Sequence, residues 1–149
     1  MADAAEVTQG AASGAERASA AASYALLLIF TALLVWGVLG FVEYLFGLTL
    51  IAPLQNANFP PAVQFMHWAA LTTAGTIYLA GYALRWRQTP FAMIAVFAML
   101  WTMCVIETFD FMTAGHRYLV FVAECILYPA IAAFLLKSRR MIRHFGGDS

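Results

Sequence analysis

Four apolar stretches alternate with short polar or proline-bearing segments along this chain. They run from about Tyr24 to Leu48, Val63 to Leu84, Pro90 to Asp110 and Arg117 to Leu136. Each has about the 20 mostly apolar residues that a helix needs to cross a bilayer. Pro53, Asn56, Asn58, Pro60 and Pro61 break the chain after the first stretch. Residues Arg85–Pro90, RWRQTP, make a short turn whose proline suits the first turn of the third helix. Gly115 marks the third connection. The pattern predicts an all-α fold, an integral membrane four-helix bundle, and its short connections predict antiparallel neighbours.

The flanking sequence differs in kind. Residues 1–21 are rich in Ala, Ser and Gly, which predicts a flexible tail. They lack the basic start and short apolar core of a secretory signal, so the first stretch is expected to remain as a span. Residues 22–137 form the expected transmembrane domain and 138–149 a basic tail.

Composition fits that reading. Of 149 residues, 63% are hydrophobic and 11% charged, where a soluble domain carries about 25% charged. The length allows one domain. Net charge is zero and there is no basic arm, which argues against nucleic acid as a partner. The expected partners are membrane lipids and other integral membrane subunits, in an oligomer or hetero-complex. Cys104 and Cys125 sit inside apolar runs, without CxxC or haem-attachment spacing, and read as small buried residues.

Charge also orients the chain. Arg17, Arg85, Arg87, Lys137, Arg139, Arg140 and Arg143 fall on one side of this topology, and only Arg117 on the other. An excess of Lys and Arg marks the cytoplasmic side. Both termini are therefore expected in the cytoplasm, with residues 51–62 and the Met112–His116 turn outside. Gly37 and Gly40 in the first helix, and Gly75 and Gly81 in the second, are expected to let neighbouring backbones approach closely.

Charged groups at the centre of a membrane helix carry a penalty of about 2.5–3.5 kcal/mol on insertion scales, so those that remain are informative. Glu43, His67, Glu107, Asp110, His116, Arg117 and Glu124 all fall in the outer half, because the helices alternate in direction. Glu107 and Asp110 are three residues apart and share a helix face, a stripe that Cys104 extends. Arg117 is expected to pair with Asp110 across the turn, or with Glu107. Glu124 lies about 10 Å deeper than Arg117 along its helix. It needs a partner, and His67 or a proton retained through burial would satisfy it. Glu107 and Glu124 are thus the candidate proton-handling pair, with His67, Trp68, Glu43, Asp110 and Arg117 as candidate binding residues. Structural alternatives stand beside each: an interfacial Asp110–Arg117 ion pair, a solvated His116, a His67 in an aromatic belt, and a Glu43 that snorkels outward.

The Glu-x-x-His repeat of di-iron bundles and the HExxH motif are both missing, and no metal site is expected. His67 and His116 are too peripheral for paired haem ligands. A carboxyl, a histidine and aromatic walls suit proton transfer or quinone binding, and Trp68, Trp101, Phe109, Phe111 and Tyr118 supply the walls. No covalent cofactor is expected; a quinone is the candidate ligand.

"EYLFG" (Glu43–Gly47), the proline-bearing segment after it and the spaced glycines of "TTAGTIYLAGYALRWRQTPFA" (Thr72–Ala92) resemble the DoxX-like membrane proteins. The resemblance spans roughly the first three stretches. It implies a short four-helix protein of the bacterial inner membrane, associated with a quinone-linked redox complex. His67 or a neutral residue stands where that family usually has an acidic one, so the resemblance carries architecture and association and no catalytic residue. The expected function is a subunit or partner of a membrane redox complex, not an enzyme on its own. Two alternatives stay open: a purely structural accessory subunit, and a stand-alone intramembrane lipid isomerase that uses buried carboxylates.

Overall fold

The computed structural model describes residues 2–50 and 54–146, with side chains from Gly14 onward. Among them are five α-helices, one π-turn and no strand. Helix α1 is Ala2–Phe46, α2 Pro61–Ala83, α3 Thr89–Ile106, α4 Arg117–Lys137 and α5 Arg139–Gly146. The π-turn, Glu107–Phe111, continues α3. Pro53 and residues 147–149, assigned above to the outer break and the basic tail, lie outside the described residues.

Three helical segments are long and apolar enough to cross a membrane: Gly14–Phe46, Thr89–Phe111 and Arg117–Lys137. They make this a helical membrane protein with a lipid-facing apolar surface. Helix α2 has the length, at 23 residues, but Gln64, His67 and its three threonines leave it more polar than the others. Residues 2–21 differ from the flexible tail predicted for them, since they are the first half of α1. Alanine is the strongest helix former, and it outweighs the Ser and Gly in that segment.

Local chemistry ends the first two helices. Gly47 has φ +66° and donates its amide to the Glu43 carbonyl at 2.8 Å, a left-handed cap that glycine adopts without strain. After α2 the same role falls to Arg85, at φ 50°. Its amide reaches the Tyr82 carbonyl and the Trp86 amide reaches that of Gly81, the double closure of a Schellman motif.

Consecutive helices run antiparallel. Along the α1–α2 seam, Gly40 meets Trp68, Gly37 meets Thr72 and Gly75 meets Leu34, one residue number rising as the other falls. A Cβ on Gly40 would sit 2.2 Å from the Trp68 indole, so this seam admits only glycine there. Helices α2 and α3 meet through His67 and Glu107 at one end and Gly81 and Thr89 at the other. Helices α3 and α4 meet through Phe97 and Tyr128, stacked at 5.4 Å, and through Phe109 and Phe121 at 5.4 Å. Ser19 and Ser138 hydrogen-bond at 2.9 Å, bringing α1 beside the end of α4.

The core is centred on Phe30, Tyr78, Met93 and Phe97, with Phe30 and Tyr78 stacked at 4.3 Å. Helix α5 closes one end of it. Met141 and Phe145 are buried, and His144 stacks on Tyr82 at 3.9 Å while its Nε2 meets the Tyr82 carbonyl at 2.9 Å. Burial of two such side chains away from water contributes about 1.5–3 kcal/mol each. Of the four long helices, α4 contributes least to the interior, with only Ile131 and Leu135 buried.

Candidate functional site

The site is built at the end of the bundle opposite α5, from a loop folded down between two helices. Past Gly47 the chain returns toward α1, and the Glu43 carboxylate accepts the Leu54 amide at 2.7 Å. Gln55 donates to the Gly40 carbonyl at 3.0 Å and accepts the Trp68 indole N–H at 3.3 Å. Gln64, itself buried, accepts the Asn56 amide at 2.9 Å. Each bond satisfies a polar group that would otherwise be stranded where water is scarce. Glu43 therefore does not snorkel outward; it anchors the loop. Trp68 is a fully buried clamp against Gly40, where a wall facing a ligand was expected.

Under this loop, His67 of α2 and Glu107 of the π-turn share a hydrogen bond of 2.7 Å between Nδ1 and Oε1. Their side chains are 26% and 12% exposed, so the pair is withdrawn from solvent without being sealed. The Phe59 ring lies 6.1 Å from His67 and 6.2 Å from Phe111, which places a loop aromatic over the pair. An imidazole nitrogen and a carboxyl oxygen at this distance are within the reach that proton transfer between side chains requires.

The π-turn corrects the geometry expected at the end of the third helix. Met112 donates its amide to the Glu107 carbonyl, five residues back, at 2.7 Å. Such a turn takes up one residue more than an α-turn, and residues three apart no longer line up. Glu107 points in and Asp110 is exposed, so the two do not share a face. Arg117 does not pair with Asp110 or Glu107 either. Its guanidinium donates to the Met112 carbonyl and, at 2.7 Å, to the Tyr118 hydroxyl, and it lies over the Tyr118 ring at 4.7 Å. With Asp110 turned to the exterior, the carbonyl at the end of the π-turn is the nearer acceptor. His116 is exposed at the start of α4.

Glu124 finds its partner within its own helix. The Tyr128 hydroxyl, one turn on, donates to Oε2 at 2.8 Å. The expected partner, His67, is engaged by Glu107 instead. The two carboxyls are therefore held by different partners, Glu107 by His67 and Glu124 by Tyr128. Cys104 contacts the buried Thr108 hydroxyl at 3.8 Å. His67–Glu107, Cys104–Thr108 and Glu124–Tyr128 thus form three hydrogen-bonded pairs, which lie on α2 and the π-turn, at the end of α3, and on α4. Among the described residues, no three His, Cys, Asp or Glu side chains converge where they would hold a metal ion.

Sequence reasoning missed Gln55, Phe59, Gln64, Thr108 and Tyr128. Tyr128 was accessible, since it stands four residues from Glu124 and such pairs meet on a helix. Nothing local marks Gln55 or Phe59, whose roles depend on how the loop folds back. No family model matches this chain, and no curated protein and no solved structure matches it either.

Proposed function

We propose that this chain is a small subunit or partner of a membrane redox complex, and that its outer polar layer handles protons or a quinone. In this reading α2 is a fourth span, and both termini face the cytoplasm of a bacterium. The observation that carries it is the His67–Glu107 hydrogen bond, an imidazole–carboxyl pair largely withdrawn from solvent. Resemblance of the Glu43–Gly47 and Thr72–Ala92 segments to DoxX-like proteins points the same way. The chain's large apolar exterior suits a protein that associates within the bilayer.

Purification from native membranes, with mass spectrometry of bound proteins and lipids, tests the association. Redox subunits or quinone should accompany the wild type. Glu107→Gln and Glu124→Gln should retain the partners and lower quinone-linked turnover of the complex at least tenfold. Recovery of the chain with neither redox subunit nor quinone overturns the reading.

One observation favours a structural accessory role as the second reading. Glu43, Gln55, Gln64 and Trp68 all spend their polar groups on holding the loop to α1 and α2. On that reading His67–Glu107 is one more such tie, and both Gln variants leave turnover unchanged.

A further inference from the structure

The opposite end of the bundle holds two hollows that share a rim. The first, about 500 Å³, is lined by Arg139, Arg140 and Arg143 with Ser19, Ser138 and Glu16. The second, about 580 Å³, lies between α1 and α4 and is walled by Ala18, Ala22, Ala133 and Phe134, with Lys137 beside them. Ser19 and Ser138 line both, and their hydroxyls meet at 2.9 Å, so the basic hollow gives onto the apolar groove across that pair.

The two halves differ in chemistry as the two halves of a lipid do. Three guanidinium groups face one carboxylate in the first hollow, and Glu16 is 3.9 Å from Arg143 with both side chains largely exposed. An excess of positive charge therefore remains. Arg140 is partly held, lying over the Tyr24 ring at 5.7 Å. Guanidinium forks match the geometry of phosphate oxygens. The groove, by contrast, presents almost only carbon, and the helices on either side of it are both long and apolar enough to cross the bilayer. Basic hollows at the ends of spans suit anionic head groups.

We infer that this end of the bundle binds an anionic phospholipid, its phosphate among Arg139, Arg140 and Arg143 and an acyl chain along the α1–α4 groove. The site is independent of the proton-handling layer at the other end.

Native mass spectrometry of the full chain, in detergent with equal phosphatidylglycerol and phosphatidylcholine, tests it. The wild type retains phosphatidylglycerol preferentially. Arg143→Gln weakens that preference roughly fivefold, and Arg139→Gln, Arg140→Gln and Arg143→Gln together weaken it on the order of a hundredfold. Ala133→Trp, which fills the groove and leaves every charge, lowers phosphatidylglycerol retention several-fold, while Arg117→Gln at the far end leaves it unchanged. Equal retention of the two lipids, or a preference that survives the arginine changes, overturns the inference. So does an Ala133→Trp variant that binds normally while millimolar inorganic phosphate displaces the lipid, since that describes a bare anion site.

Discussion

The Tyr78 side chain is fully buried beside Phe30 and Tyr82, and among the described residues its hydroxyl has no hydrogen-bond partner. A buried donor without a partner is destabilising, whereas the ring itself packs well. Tyr78→Phe should raise resistance to unfolding by about 1 kcal/mol, measured by denaturant titration in detergent; a loss of stability would reveal a partner for the hydroxyl. His67 and Glu107 present the reverse case. His67→Ala strands a buried carboxyl and should lower stability by about 1–3 kcal/mol. The double variant with Glu107→Gln should then recover part of that loss, and strict additivity would show that the two do not interact. That His67, Glu107 and Glu124 are set within apolar stretches was legible in the sequence. Their pairing was not. Assigning Asp110 to the face of Glu107 assumed an α-turn, and a single extra residue in the turn removes that assumption.

Helix ends were read more securely than side-chain partners. Counting the π-turn with α3, the ends of the predicted stretches lie within two residues of the helix ends, the start of α1 excepted. Prolines and glycines punctuate a backbone locally, so their effect needs no knowledge of the fold. The glycine seam was equally legible: Gly37, Gly40 and Gly75 all stand where another helix touches. Gly40→Ala would drive a methyl group into the Trp68 indole and with it disturb Gln55 and the loop. It should lower stability by about 1–3 kcal/mol and speed amide exchange across residues 54–59; normal exchange there would uncouple the seam from the loop. What stayed hidden was the loop's own path. Gln55 bridges the Gly40 carbonyl and Trp68 through contacts 15 and 13 residues distant, and no periodicity encodes that.

As a whole, the molecule is a row of antiparallel helices with a polar layer at one end and a helical floor at the other. Neighbour order followed from connection length, while the closeness of α1 to the end of α4 did not. Ser19 and Ser138 supply a direct check. Cysteines at both positions should oxidise to a crosslink, with fragments from the two ends of the chain joined in a peptide map; failure to join them would separate α1 from α4. The floor was invisible in the sequence because Met141 and Phe145 stand in an eight-residue segment with three arginines and a histidine, too short and too polar to register as a span. Yet they belong to the same core as Phe30 and Met93. Helix α5 follows α4 by a single residue, so the cover on Tyr82 is among the last segments to be synthesised. This end of the core can therefore close only once nearly the whole chain has been made.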